Sequence, residues 1–295
     1  MDLLANVLCV QASPRKRGYS AKLLESAVEG MNSVDGVTVD LVNLVDYHPI
    51  NPCKSCWSCV RGGYTCVHDD PMGRMGEGEL FRKIRRANAL FISHPVYYGR
   101  PTAGVQTFFE RFYPFMWSGE LDGMPFASIS QAANNGGART AQIDMKRWAV
   151  TFKLRVVGGL PVHMVTYDES LNLAKDLGRQ VAREALVDVG DRRGVTSVER
   201  YLESYDGQWS RLESALMDLT NGSLLYEDSL IMYAIRNGSI KGDESNKMLR
   251  KAGEELRLSL ECYADKDLRK AAEHLVKMSS YWSPATLREF LPDIG

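Results

Sequence analysis

The sequence contains no apolar run that approaches the roughly 18 residues of a membrane-spanning helix, so we expect no membrane span. It has no excess of charge of either sign, because 36 lysines and arginines face 37 aspartates and glutamates. The resulting net charge of −1 gives no electrostatic reason to expect nucleic acid as a partner. Residues 1–4 include no basic segment, so we expect no signal peptide and a cytoplasmic location.

The composition is that of an ordinary globular protein, with 44% hydrophobic and 25% charged residues. Over the first half of the chain, strand-like apolar segments alternate with segments of helical periodicity, which predicts a doubly wound parallel α/β sheet with ligands at the carboxyl ends of its strands. The predicted strands are residues 4–10, 37–42, 89–93, 125–130 and 156–165. The predicted helices between them are residues 20–31, 79–86, 102–112 and 137–152.

After Asp168 only helical periodicity remains, and no internal repeat is visible. The short charged segment 188–194 is the predicted boundary between an α/β domain, residues 1–190, and an all-helical extension, residues 191–295. The predicted helices of the second half are residues 169–189, 196–220, 223–236, 243–263, 266–280 and 284–291.

One helix of the extension carries an apolar stripe that must be covered. We expect the extension to pack on the α/β domain or across a subunit interface, and the alternative is a self-contained helical bundle. The stripe consists of Leu249, Ala252, Leu256 and Leu260.

The loop after the first strand, residues 13–20, combines hydroxyls, cations and a helix start. Ser13, Ser20, Arg15 and Arg17 together with free backbone N–H groups form a typical phosphate site. The alternative is a solvated basic turn in which Ser20 caps the helix. The loop is neither GxGxxG nor GxxxxGK[ST], which disfavours dinucleotide and Walker-type nucleotide binding.

Two further loops lie at the same predicted sheet edge. The loop after the third strand, residues 94–102, offers aromatic side chains and a glycine that suit a flat ligand, or forms a turn with partly buried tyrosines. The loop after the fourth strand, residues 131–138, allows close backbone approach, or is a plain turn. Phosphate, planar and amide contacts at one edge describe a mononucleotide site, and FMN fits best. The residues concerned are Tyr97, Tyr98 and Gly99, and Asn134, Asn135, Gly136 and Gly137.

Four of the six cysteines fall within fourteen residues, in the loop 51–70, with the spacing C-x2-C-x2-C-x6-C. Such clustering favours metal or redox chemistry over structural disulfides. Structural zinc sites usually pair two ligand knuckles across a longer gap, whereas C-x2-C-x2-C is typical of 4Fe–4S clusters. Zinc, and free or disulfide-forming thiols, remain the alternatives. The cysteines are Cys53, Cys56, Cys59 and Cys66.

These motifs together resemble the iron–sulfur flavoproteins, a branch of the NADPH-dependent FMN reductase group. The resemblance covers residues 4–185 and is most specific in the cysteine run and the Asp69-Asp70-Pro71-Met72 that follows it. It implies a flavodoxin-like fold with a five-stranded parallel sheet, an FMN and a 4Fe–4S cluster on the four cysteines. It implies that Ser13, Arg15 and Ser20 hold the phosphate, and that Pro95, Val96, Tyr97, Tyr98 and Gly99 line the isoalloxazine.

The chain departs from the family pattern at four positions. Tyr19 stands where Asn is usual, His94 replaces a small residue, Gln106 replaces Lys and Glu110 replaces Asp. His94 would lie close to the flavin ring, where a histidine could donate a proton during substrate reduction. The alternative is a packing histidine at the end of a strand.

The leading functional hypothesis is an oxidoreductase that passes electrons between the cluster, FMN and a small-molecule substrate or carrier. The expected electron donor is a ferredoxin-like carrier or NAD(P)H, and the expected assembly is a homodimer or homotetramer. The alternatives are an NAD(P)H-dependent FMN or quinone reductase without a cluster, and a non-catalytic redox sensor that binds a partner through its extension.

Overall fold

The computed structural model describes residues 4–133, 137–190, 192–202 and 211–290. The chain divides into two compact units, Met1–Val195 and Thr196–Gly295. Within the described residues, no helix is both long enough and apolar enough to cross a membrane.

The first unit is built on a sheet of five parallel strands and one short antiparallel strand. The parallel strands follow the order β2-β1-β3-β5-β6, which is the flavodoxin order with its switch point between β1 and β3. The predicted doubly wound, flavodoxin-like sheet is therefore confirmed. The strands are β1 (Ala5–Gln11), β2 (Val37–Asn43), β3 (Ala89–Tyr97), β4 (Arg100–Pro101), β5 (Pro125–Gln131) and β6 (Arg155–Val162).

Helices cover both faces of this sheet. Side chains alternate along the central strands, so that Leu8 and Ile92 enter one apolar core while Cys9 and Phe91 enter the other. The helices of this unit are α1 (Tyr19–Asn32), α2 (Ser58–Arg61), α3 (Glu79–Arg86), α4 (Ala103–Glu110), α5 (Tyr113–Ser118), α6 (Ala138–Thr151) and α7 (Tyr167–Gly190).

Several expected boundaries in this unit were wrong, and strand β6, expected to run to residue 165, ends at Val162. Strand β3 continues to Tyr97 instead of ending at residue 93, because its last residues pair with β4 in a hairpin. The helix expected at residues 102–112 is interrupted after Glu110, and a separate helix begins at Tyr113 with a proline in its first turn.

Helices α1 and α7 cross at two glycines. A Cβ on Gly178 would lie 2.0 Å from the carbonyl oxygen of Ala27, and one on Gly30 would lie 1.9 Å from that of Lys175. Both contacts are with backbone, which cannot move aside as a flexible side chain can. The crossing therefore requires glycine at both positions.

Gly178→Ala is expected to lower the free energy of unfolding by about 1–3 kcal/mol, the usual cost of overpacking a core. This loss exceeds the gain of about 1 kcal/mol that alanine brings to a helix interior. Gly104→Ala in α4 is the matched control, since its added Cβ would meet only a Leu44 methyl at 3.9 Å. Urea unfolding of both variants checks this, and a Gly178→Ala protein as stable as Gly104→Ala would contradict the close crossing.

All of the regular secondary structure described in the second unit is helical, and turns connect the helices. The predicted apolar stripe is buried within the core of this unit, so its burial requires no docking elsewhere. Packing of the extension on the α/β domain or across a subunit interface stays a prediction. The helices are α8 (Ser197–Leu202), α9 (Arg211–Leu219), α10 (Leu230–Asn237), α11 (Asp243–Ala264) and α12 (Leu268–Phe290).

Several expected helix boundaries in this unit also differ, and the helix expected at 223–236 begins only at Leu230, as α10. The helices expected at 266–280 and 284–291 are one helix, α12, with Pro284 inside it. Buried residues precede and follow the proline, Met278 and Ala285, so packing stabilises the helix across it. The expected helix 196–220 contains α8 and α9, and residues 203–210 lie outside the described residues.

Candidate functional site

The loop between β1 and α1 is held in shape by Gln11. The Gln11 amide donates to the Arg15 carbonyl at 3.1 Å and accepts from the Ser13 N–H at 3.2 Å. The Arg15 N–H donates in turn to the Ser13 hydroxyl. Ser13 and Ser20 are buried, whereas Arg15 and Arg17 are exposed. The structure thus brings the predicted hydroxyls and cations together at one sheet edge.

Helix α1 begins without a side-chain cap. Gly18 occupies the N-cap position, so the alternative in which Ser20 caps the helix was wrong. Among the described residues, the backbone N–H groups of Tyr19 and Ser20 have no acceptor. The Ser20 hydroxyl donates across to the Gln131 side chain at 3.4 Å. Unsatisfied N–H groups at the positive end of a helix, beside hydroxyls and arginines, form an anion site.

The β3–β4 hairpin presents two aromatic side chains at the same edge. Its two turn residues, Tyr98 and Gly99, have φ of 52° and 74°, as a tight two-residue hairpin requires. Tyr97 is 45% exposed and Tyr98 is fully exposed, while Pro95 is buried and Val96 half-buried within β3. This edge can present aromatic surface to a flat ligand.

The loop after β5 reaches the hairpin. Gly137 has φ of 90°, and a Cβ there would lie 2.7 Å from the Cα of Gly99. Any side chain at Gly137 would force the two loops apart, so glycine is required. Asn134, Asn135 and Gly136, which were also predicted to contact the cofactor, lie outside the described residues.

His94 is completely buried within β3. Its Nδ1 lies 3.0 Å from the Pro95 carbonyl oxygen and its Nε2 lies 2.9 Å from the Ser130 hydroxyl. Burial lowers the pKa of the imidazole to about 4, against a weaker opposing effect of the Pro95 carbonyl. The role of His94 as proton donor stays a prediction, and its burial in the neutral form weighs against it.

The depressed pKa of His94 predicts a pH-dependent stability. Because the unfolded chain binds the proton more tightly, stability is full above pH 6.5 and falls as the pH drops toward 4, by about 3 kcal/mol. His94→Gln should therefore show a smaller loss of stability than the wild type over this range. Urea midpoints at pH 7 and pH 4.5 measure the difference, and equal losses in both proteins would contradict the assignment.

The four clustered cysteines surround one cavity, with a volume of about 80 Å³. They are free thiols that share this cavity with Lys54, His68, Arg111 and Tyr113. The volume is several times the roughly 10–15 Å³ that one water needs, so the cavity has room for a group of several atoms. Among the described residues, no three His, Cys, Asp or Glu side chains form a group that would hold a single metal ion.

Residues close to the cysteines donate hydrogen bonds to their thiols or shift their pKa values. The Ser55 N–H donates to the Cys53 sulfur at 3.4 Å. The Ser58 hydroxyl and N–H lower the pKa of Cys56. Burial, together with the neighbouring Cys66 and Cys53, raises the pKa of Cys59. The neighbouring-thiol effect on Cys59 reflects how closely the cysteines are gathered.

Arg111 and Asp70 form a buried ion pair beneath the cysteine loop. Both side chains are about 1% exposed, and their two contacts measure 2.6 and 3.1 Å. Asp70 also accepts from the N–H groups of Asn51 and Met72, at 3.0 Å each. Burial raises the pKa of Asp70, but these bonds and the arginine outweigh it, so the net pKa is lowered. The pair fixes both ends of the cysteine loop to the α4–α5 junction.

Sequence reasoning missed three residues of this site. Arg111 donates from Nη2 to the sulfur of Cys66 at 3.1 Å, and Asp70 holds it in place. His68 borders the cavity, and its Nε2 is buried without a hydrogen-bond partner among the described residues. A pair of residues 41 positions apart leaves no local pattern in the sequence. The available indications were the Asp69–Met72 motif and the position of Arg111 after an aromatic helix.

Comparison with known proteins finds one matching family profile and several similar sequences. The profile described as NADPH-dependent FMN reductase matches residues 5–167. A protein named iron-sulfur flavoprotein from Archaeoglobus fulgidus is 30% identical over 177 residues, which cover 59% of this chain and 77% of that protein. Another of that name, from Methanocaldococcus jannaschii, is 24% identical over 191 residues, which cover 60% of this chain and 95% of that protein.

A solved structure is also similar over part of the chain. The NAD(P)H:quinone oxidoreductase from Methanothermobacter marburgensis superposes with a TM-score of 0.46 at 18% identity. The match covers 60% of this chain and 95% of that one. The family profile ends at residue 167, ahead of the second unit.

Proposed function

The chain belongs to the NADPH-dependent FMN reductase family and is an FMN-dependent oxidoreductase. From that premise we propose that it is an iron–sulfur flavoprotein, which passes electrons between a 4Fe–4S cluster, FMN and a substrate or electron carrier. The observation that carries the proposal is the gathering of all four clustered thiols around one cavity.

The residues around this cavity fit a cluster in three respects. Four free thiols supply a complete ligand set. Lys54 and Arg111 supply positive charge, which favours the thiolate form and an anionic group. The buried Nε2 of His68, which has no hydrogen-bond partner within the described ranges, has a donor or acceptor position that a bound group can satisfy. The proposed ligands are Cys53, Cys56, Cys59 and Cys66.

The β1–α1 loop fits the phosphate of FMN. We assign the phosphate to Ser13, Arg15, Arg17 and Ser20, and to the uncapped N-terminus of α1. The isoalloxazine is assigned to the hairpin residues 95–99 and to the loop 134–137. When bound, FMN would exchange two electrons with a substrate and single electrons with the cluster.

The chain's own residues bind and orient these groups. The exposed hairpin tyrosines would cover one side of a flat ring and exclude water from it, and the close approach of Gly137 to Gly99 fixes the spacing of the two loops. At the other site, Cys53 and Cys56 are exposed, so an electron carrier can approach the ligands closely. We propose a ferredoxin-like carrier or NAD(P)H as donor, a homodimer or homotetramer, and a cytoplasmic location.

The double substitution Arg15→Ala/Ser20→Ala should strip the flavin and leave the iron in place. It removes about two charge-assisted hydrogen bonds to the phosphate, which together cost roughly 3–6 kcal/mol of binding free energy. Flavin and iron contents after gel filtration measure the outcome. Lys22→Ala, which removes an exposed cation two residues further along the same helix, is the control. Full flavin occupancy in the double variant would show that these residues do not hold the FMN phosphate.

An anaerobic absorption spectrum distinguishes this proposal from its alternatives. A cluster adds broad visible absorbance to the flavin bands, and this absorbance bleaches on reduction. Flavin bands alone would indicate an FMN or quinone reductase without a cluster. Failure to turn over with any reduced carrier or NAD(P)H would favour a redox sensor.

A further inference from the structure

We propose that Arg111 is a positioning residue that sets the reduction potential of the cluster through Cys66. The inference rests on the proposed function, because it assigns Cys66 as a cluster ligand. It goes beyond that function because it distinguishes Cys66 from the other three ligands: its sulfur accepts a hydrogen bond from a buried cation.

The geometry singles out Cys66. The Nη2 atom of Arg111 donates to its sulfur at 3.1 Å, and the guanidinium is only 1% exposed. The Nη1 atom is directed away from the thiol, to the Asn51 carbonyl at 2.8 Å and to Asp70 at 2.6 Å. Because the planar guanidinium is held by these bonds, the direction of the N–H toward Cys66 is fixed.

The donors at the other thiols are local and uncharged. Cys53 and Cys56 receive bonds from Ser55 and Ser58, which lie within two residues of them. In the described part of the chain, Cys66 is the cysteine whose sulfur contacts a cation carried by another element, the α4–α5 junction. A buried charge acts through a low dielectric and is screened little by salt, so its effect on one ligand is strong.

A donor and a positive charge at a ligand sulfur stabilise the more negative, reduced state of an iron–sulfur cluster, which raises its reduction potential. Asp70 keeps the arginine in place and offsets part of its charge. Arg111 therefore acts on the electron chemistry without touching the substrate.

The test is Arg111→Lys, with Arg61→Lys as matched control. Lysine keeps the charge beside Asp70, but its single ammonium cannot reproduce the fork that reaches both Asp70 and Cys66. Arg61 is an exposed arginine of the same loop, and its guanidinium donates to the Cys56 carbonyl oxygen instead of to a sulfur. Potentials come from an EPR-monitored anaerobic redox titration, and a ferrous chelator measures the rate of iron release.

We expect Arg111→Lys to hold its cluster with a lower potential and a severalfold faster iron release, and Arg61→Lys to match the wild type in both. An unchanged potential in Arg111→Lys, or equal shifts in the two variants, would overturn the inference while the proposed function stood. Wild-type protein without iron would instead overturn the function.

A second variant covers the case in which Arg111→Lys fails to fold. Arg111→Met/Asp70→Asn removes both buried charges together, a change that is often neutral for stability, and the single asparagine oxygen can still accept from one of the two N–H groups, of Asn51 and Met72, that bond to Asp70. It lacks any donor to Cys66, so its potential should also lie below that of the wild type. A wild-type potential in this variant would refute the role of Arg111.

Discussion

Anaerobically prepared Cys56→Ala protein is expected to contain less than a tenth of the iron and acid-labile sulfide of the wild type. The substitution removes one of four thiols around the cavity, and an incomplete ligand set cannot hold the cluster. Flavin content should stay at the wild-type level, because the proposed phosphate site lies on the β1–α1 loop.

Two other cysteines provide controls for Cys56→Ala. Cys262 lies on α11 in the second unit, so Cys262→Ala should keep full iron. Cys9 is buried against Met31, and burial raises the pKa of its thiol, so it behaves as an apolar side chain. Wild-type iron content in Cys56→Ala would show that this thiol is not a ligand.

Asp70→Ala is expected to lower the free energy of unfolding of the cofactor-free chain by about 3–5 kcal/mol, because it leaves Arg111 buried without its counter-charge. Urea unfolding measures the loss. The control is Asp40→Ala, which breaks a partly exposed ion pair with Lys83 and should cost about 1 kcal/mol or less. Losses of the same size in the two variants would mean that the buried pair does not hold the loop.

The parallel doubly wound sheet and the gathering of the four cysteines on one loop were predictable because they leave local patterns in the sequence. Alternating strands and helices indicate a parallel doubly wound sheet, and C-x2-C-x2-C places three thiols on one short loop. The helix stripe from Leu249 to Leu260 also predicted burial correctly. What it could not indicate was which surface covers it, since periodicity specifies a face and not its partner.

Features that depend on distant contacts were not predictable. The pairing of Arg111 with Asp70, and the reach of Arg111 to Cys66, join elements that no local pattern connects. His94 follows the apolar run 89–93 in the sequence. Its neighbours do not indicate that it lies buried in β3 and hydrogen-bonds to Ser130 of β5. A proline normally marks a helix boundary, but Pro284 lies inside α12, where packing stabilises the helix on both sides of it.

The most direct test of the central claim is the cofactor content of the wild-type protein purified without oxygen. Iron, zinc, acid-labile sulfide and flavin are measured per chain on one sample. We expect about four iron, about four sulfide and about one FMN per chain, with no zinc. Flavin with zinc, or flavin with neither iron nor sulfide, would contradict it.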